Sequence, residues 1–239
     1  MQLALSLANK GRGLTRPNPV VGAVVVRGGK VIARGYHHEV GAAHGEIDAL
    51  AKLGFRASGA TLYVTLEPCC HTGRTGPCTE KIIASGVDRV VVGCRDPNPI
   101  VDGRGIARLR RAGIRVDVGC LQDKCREANR GFFRWIRDRR PWVTLKAAAT
   151  LDGFIAQPRQ SGIKWITGGP ARRAAHELRA THDALLVGVG TVVTDNPRLT
   201  VRLPGKSGAS ILRVVLDGQL RTPKTARLLR QPAGPRPLI

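Results

Sequence analysis

The residues best suited to chemistry are His44-Gly45-Glu46, followed by Pro68-Cys69 and Pro77-Cys78. One imidazole and two thiolates form the three-ligand set of a catalytic zinc, which keeps a fourth position for water. The metal lowers the pKa of that water to about 7 and so supplies hydroxide at neutral pH. Hydroxide can add to a ring carbon that bears an amino group. A proton must then pass from the water to the departing amine. Glu46, two residues beyond the histidine, could carry it, provided it is not itself a ligand. Each feature alone is weak, since a lone His is commonly a satisfied surface residue and a lone Cys commonly core. The metal reading rests on all of them in this order. Cys70 and His71 are rival ligands, although adjacent residues such as Cys69 and Cys70 should point apart.

The elements around these residues should hold them at one point. The spacing predicts a helix over His44 to Leu53 and another over Cys78 to Ser85, entered from Pro77 and closed by Gly86. Helix starts carry positive partial charge and free N–H groups, which favour thiolate over thiol. Strands are predicted at Val20–Val26, Lys30–Tyr36, Ala60–Leu66, Val87–Val92 and Ile114–Val118, with a hairpin turn at Gly28-Gly29. Helices are predicted at Leu3–Lys10 and Ile106–Ala112, and one long helix from about Leu121 to Arg139. A boundary near residues 138–141 precedes an apolar strand, Trp142–Ala148, then a helix at Pro170–Ala180 and strands at Ala184–Val189 and Ile211–Leu216. Alternating strands and helices imply layered α/β architecture in both parts.

The formal net charge is +22 over 239 residues. A basic surface for nucleic acid is one reading. The other is an ordinary surface rich in Arg, and the helical spacing of Arg126, Arg130, Arg134, Arg137, Arg139 and Arg140 favours it. Nucleic acid is therefore not expected as a partner. Three of the six cysteines fall within ten residues, which suits a metal site better than a disulfide framework. No run of about 18 apolar residues could span a bilayer. The apolar start, Met1 to Ala8, lacks a basic leader and reads as a helix, so a cytoplasmic location is expected.

His-x-Glu followed by Pro-Cys and a second Cys is the arrangement used by nucleobase deaminases, with the Glu as general acid and base. Here eight residues separate the cysteines, in Pro68-Cys69-Cys70-His71-Thr72-Gly73-Arg74-Thr75-Gly76-Pro77-Cys78. That insertion resembles the bifunctional deaminase-reductase family of riboflavin biosynthesis. Arg16-Pro17-Asn18-Pro19-Val20-Val21-Gly22, Val64-Thr65-Leu66-Glu67-Pro68-Cys69 and Asp96-Pro97-Asn98-Pro99 resemble it too. The resemblance implies a three-layer cytidine-deaminase-like domain over 1–140, followed by an incomplete dihydrofolate-reductase-like α/β domain over 141–239. It implies Zn2+ on His44, Cys69 and Cys78, with Glu46 as proton shuttle and Asn18 and Arg74 at the substrate. The substrate implied is a diaminopyrimidinone ribosylamino 5′-phosphate, a small phosphorylated pyrimidine that loses its 2-amino group as ammonia. Edge exposure in the incomplete second domain would favour a homo-oligomer.

In the second part, Lys146 to Gly153, Trp165-Ile166-Thr167-Gly168 and Gly190 to Arg202 resemble the family's reductase domain, which uses NADPH. The resemblance places Ala149, Trp165, Thr191 and Asp195 at the dinucleotide, and Arg179, Leu199 and Arg202 at the substrate. Plain core packing is the alternative for Trp165 and Leu199. The sequence departs from the family in several places. Gly45 stands where Ala is usual, Asp48 where a second His is usual and a substrate contact is conceivable, and Ser161 to Trp165 runs one residue short. The chain also stops at Ile239, before the family's later glycine-rich stretch, so little reductase activity is expected of it. Two rival readings remain open. A nucleic-acid base deaminase would show salt-sensitive oligonucleotide affinity. A purely structural zinc site would show a fourth protein ligand.

Overall fold

The computed structural model describes residues 1–72, 76–156, 165–204, 211–230 and 234–239. The chain divides into two compact units, Met1–Val143 and Thr144–Ile239.

In the first unit, β1 (Gly22–Arg27), β2 (Lys30–Tyr36), β3 (Thr61–Leu66), β4 (Arg89–Cys94) and β5 (Arg115–Val118) form one sheet in the order β2-β1-β3-β4-β5. Strand β1 runs antiparallel to both neighbours, whereas β3, β4 and β5 are parallel. The period-2 alternation of strand side chains decides the layers. Ala23, Val25, Leu62, Val64, Val90 and Val92 form one core with residues of α2 (Gly45–Ala51), α3 (Cys78–Ala84) and α4 (Arg104–Arg111). On the other face Val24 packs on Ala4 and Leu7 of α1 (Gln2–Ala8). Beside it, Leu66 and Cys94 pack on Cys125 of α5 (Gln122–Ala128) and Phe133 of α6 (Arg130–Asp138). The result is helices, sheet, helices, the three layers expected. Full burial of each such Val or Leu contributes about 1.5–3 kcal/mol.

The site depends on how closely α2 approaches the sheet. Gly35 in β2 faces the backbone of α2 directly: a Cβ there would collide with Ala49 N and Gly45 O. Only glycine permits that approach, and it brings the start of α2 to the end of β3.

Three sequence expectations are corrected. The single long helix of about 121–139 is two helices, α5 and α6, parted at Asn129, whose φ is −118°. Its side chain is engaged by the backbone of Val20, 109 residues away, a tertiary pairing that fixes the residue outside helical geometry. The expected strand at 142–148 does not form, because no neighbour among the described residues offers it a hydrogen-bonding ladder. Its Val143 and Leu145 are 79% and 92% exposed. The strand expected at 184–189 is β6 (Ala184–Gly188), which ends one residue earlier because Val189 opens the next helix, and it has one exposed face.

The second unit pairs β6 with β7 (Leu212–Leu216) in parallel, with α7 (Gly169–Ala180) and α8 (Val189–Asp195) beside them. Helix α8 begins at Val189, directly after Gly188 ends β6. Val192, Leu199, Val215, Ala226 and Leu228 make this unit's main core.

Gly35→Ala should destabilise the first unit by about 3 kcal/mol, as backbone collisions cannot relax like side chains. Denaturant unfolding with an unchanged midpoint would refute the close approach.

Candidate metal centre and its pocket

His44, Cys69 and Cys78 meet at one point, with one donor atom from each lying within 4.8 Å of the others. His44 caps the start of α2, Cys69 follows β3, and Cys78 opens α3. His44 Nδ1 is 3.1 Å from Cys78 Sγ and 3.7 Å from Cys69 Sγ. Ligands at zinc bond lengths of roughly 2.0–2.3 Å in a tetrahedron stand about 3.5–3.8 Å apart. The Cys69 separation matches this and the Cys78 separation is a little shorter, so a slight opening at Cys78 lets this donor set take the ion. The backbone N–H of Cys78 donates to Cys69 Sγ at 3.3 Å, the helix-start stabilisation that the sequence implied. Hydrogen bonds from Cys78 and His44 pull the Cys69 thiol down, so this sulfur takes the charge. Sharing of that proton, together with burial, pushes the Cys78 thiol up. The rival ligands stand apart. Cys70 Sγ turns to the carbonyl of Ile100, and among the described residues His71 joins no ligand group.

Glu46, in the first turn of α2, is 2% exposed. Its Oε2 has no hydrogen-bond partner among the described residues, and burial pushes its pKa up to about 7. An unsatisfied buried oxygen beside three metal donors is costly unless a ligand completes it.

A cavity of about 380 Å3 opens on this point, lined among others by Asn18, His37, Glu46, His71, Asp96 and Phe132. His37 is 2% exposed, and its Nδ1 lies 3.0 Å from the Ala43 carbonyl. A carbonyl only accepts, so Nδ1 carries the proton and Nε2 accepts. Burial lowers the His37 pKa, in keeping with that neutral ring. Asn18 Nδ2 therefore donates to Nε2 across 3.3 Å, which leaves its Oδ1 as an acceptor for a bound molecule. Burial pushes Asp96, 8% exposed, up to about 6. His37, Asp96 and Glu67 were not among the expected site residues. Asp96 sits in the quoted Asp96-Pro97-Asn98-Pro99 phrase, but nothing in spacing marked His37.

Glu67 explains how the cavity wall is held. Its Oε2 accepts from Asp96 N at 3.2 Å and Gly103 N at 3.0 Å, and its Oε1 accepts from Ile106 N at 3.1 Å. One buried carboxylate thus ties the 96–106 segment to the strand end that carries Cys69. Asp48, by contrast, lies outside the cavity lining. Its Oδ2 takes Tyr36 N and Lys52 Nζ, both at 3.1 Å, and His38 Nε2 at 3.3 Å, which binds α2 to β2. Arg74 lies outside the described residues, as does the 161–164 segment.

In the second unit, Arg179 Nη1 reaches Thr200 O at 3.3 Å and Arg202 Nη1 reaches Thr200 Oγ1 at 3.4 Å. The two guanidinium groups thus gather beside one residue, and burial and then Arg202 lower the Arg179 pKa. Leu199 is 4% exposed within the core. Trp165 is 57% exposed, with Arg172 over its ring at 5.0 Å. Thr191 and Asp195 are exposed on α8, and Ala149 is exposed in the preceding irregular segment.

Residues 1–94 match the cytidine and deoxycytidylate deaminase zinc-binding region, and residues 141–239 match the RibD C-terminal domain. The riboflavin biosynthesis protein RibD of Aquifex aeolicus is 51% identical over 235 residues, covering 98% of this chain and 65% of that protein. The Bacillus amyloliquefaciens protein of the same name is 47% identical, covering 98% and 63%. The structure of a diaminohydroxyphosphoribosylaminopyrimidine deaminase/5-amino-6-(5-phosphoribosylamino)uracil reductase from Thermotoga maritima aligns with a TM-score of 0.89 at 45% identity. That alignment covers 98% of this chain and 66% of that one. The chain thus spans somewhat less than two thirds of the length of these relatives.

Glu67→Gln should cost about 2–4 kcal/mol, because an amide nitrogen would then face backbone N–H donors. A thermal melt that is unmoved would show that the clamp carries no load.

Proposed function

The chain belongs to the RibD family of riboflavin-biosynthesis proteins, and on that premise we propose that its first unit is a zinc-dependent hydrolytic deaminase of 2,5-diamino-6-ribosylamino-4(3H)-pyrimidinone 5′-phosphate. The observation that carries this is Glu46: a fully buried carboxyl with one unpartnered oxygen beside three metal donors. His44, Cys69 and Cys78 would hold Zn2+. When bound, the ion supplies Lewis acidity and an open fourth position where water is acidified. Glu46 accepts the proton that water gives up as its oxygen joins ring carbon 2. It then delivers that proton to the 2-amino group, which leaves as ammonia. Asn18 Oδ1 accepts from an N–H of the ring edge, with His37 fixing which end of the amide faces inward. The cavity volume lies in the range of small-molecule sites. Arg74 is assigned to the substrate from the family pattern alone.

The second unit is read as the NADPH-binding reductase domain, with Ala149, Trp165, Thr191 and Asp195 towards the dinucleotide. Arg179 and Arg202 would take the substrate phosphate, and their gathering beside Thr200 supports this. Leu199 would support that subsite from the core. Among the described residues no helix is long and apolar enough to cross a membrane. All six cysteines are free thiols, which suits a reducing cytoplasm.

Zinc-loaded protein should release ammonia from this nucleotide. Glu46→Gln should slow release roughly 10²- to 10⁴-fold while zinc content stays the same. Release that survives undiminished would remove Glu46 from the mechanism. Cys78→Ser should lose most of the bound zinc in metal analysis, and full retention would disprove the ligand set.

A further inference from the structure

Asn129, at the break between α5 and α6, reaches across 109 residues of sequence to grip one residue. Its Oδ1 accepts from Val20 N at 2.8 Å, and its Nδ2 donates to Val20 O at 2.9 Å. A carboxamide can match both backbone groups at once because it holds an acceptor and a donor side by side. The residue is 5% exposed, so the pairing is sheltered from water. Val20 lies near the end of the short irregular segment, before β1, that carries Asn18 over the cavity. The segment is also tied within itself, by Asn18 N to Thr15 O at 2.8 Å and Thr15 Oγ1 to Asn18 O at 3.1 Å. It is tied to the 37–40 stretch by Asn18 Nδ2 to His37 Nε2 at 3.3 Å, His37 N to Val21 O at 2.8 Å and Val40 N to Leu14 O at 3.4 Å. Arg12 Nη2 adds a second strap to the α5 end, at Ala128 O across 3.0 Å. Phe132, one turn beyond Asn129, lines the same cavity.

We propose that Asn129 is a positioning residue for the deamination: by holding Val20 it sets where Asn18 presents its carboxamide to the substrate. The inference rests on the reading that Asn18 contacts the pyrimidine. The metal donors sit on α2, on α3 and after β3, none of which Asn129 grips. Its loss should therefore weaken substrate binding and leave the metal and the proton transfer in place.

The test is a double-mutant cycle in zinc-loaded full-length protein, followed by ammonia release, metal analysis and thermal melting. Asn18→Ala and Asn129→Ala should each raise KM roughly tenfold, the worth of one hydrogen bond, with kcat nearly unchanged. The double variant should have the KM of Asn18→Ala alone, because Asn129 acts through Asn18. Asn129→Gln, which keeps both donor and acceptor, should fall between the parent and Asn129→Ala. It replaces Asn129→Ala in the cycle should the latter not fold. A KM rise that multiplies in full with that of Asn18→Ala overturns the proposal, as does a parent-like KM for Asn129→Ala. A joint fall in kcat and zinc overturns it too. If Asn18→Ala itself leaves KM at the parent value, the substrate role of Asn18 fails and this inference falls with it.

Discussion

Everything in the first unit follows from bringing one imidazole nitrogen and two sulfurs within 4.8 Å of each other. Such a meeting needs two helix starts and one strand end to converge. The parallel β3–α3–β4 crossover delivers two of them, since Cys69 leaves β3 and Cys78 opens α3. The third arrives because Gly35 lets α2 lie against β2, backbone to backbone. The converging N–H groups favour negative sulfur, which is what a soft divalent cation requires.

Two buried carboxylates close to this point show how similar groups take different roles. Glu67 accepts three backbone N–H groups, so its charge is satisfied within the protein and its work is to hold a wall. Glu46 is equally buried, yet one oxygen is left without a partner. Burial without satisfaction raises the energy of the charged form, and a proton is gained or lost more readily there. Structural and chemical roles thus separate by hydrogen-bond count rather than by residue type or depth.

The large positive charge finds an ordinary setting. Along α6 and its flanks Arg130 pairs with Glu127 and Arg134 with Asp138, while Arg137 and Arg139 lie over Phe133 and Trp135. These are exposed pairs of the kind that contributes little to stability. They leave the arginines at the solvent, with Arg137 covering the outer face of the Phe133 ring that packs inward on Leu66, Cys94 and Cys125.

The metal centre was legible in the sequence because its ligands are of rare reactive types, ordered His, Glu, Cys, Cys with prolines before both sulfurs. The layered α/β arrangement was legible as well, since side-chain alternation and helical spacing are local properties. The rest was decided only by tertiary structure. Nothing in the spacing of Glu67 tells that three distant amides converge on it, nor that the ring of His37 is locked by Ala43. The long helix broke at Asn129 because a backbone 109 residues away competes for that side chain. The strand at 142–148 did not form because a ladder needs a neighbour, which no local pattern can supply. Sequence specifies what each residue can do, whereas contacts between distant segments settle which of those capacities is used.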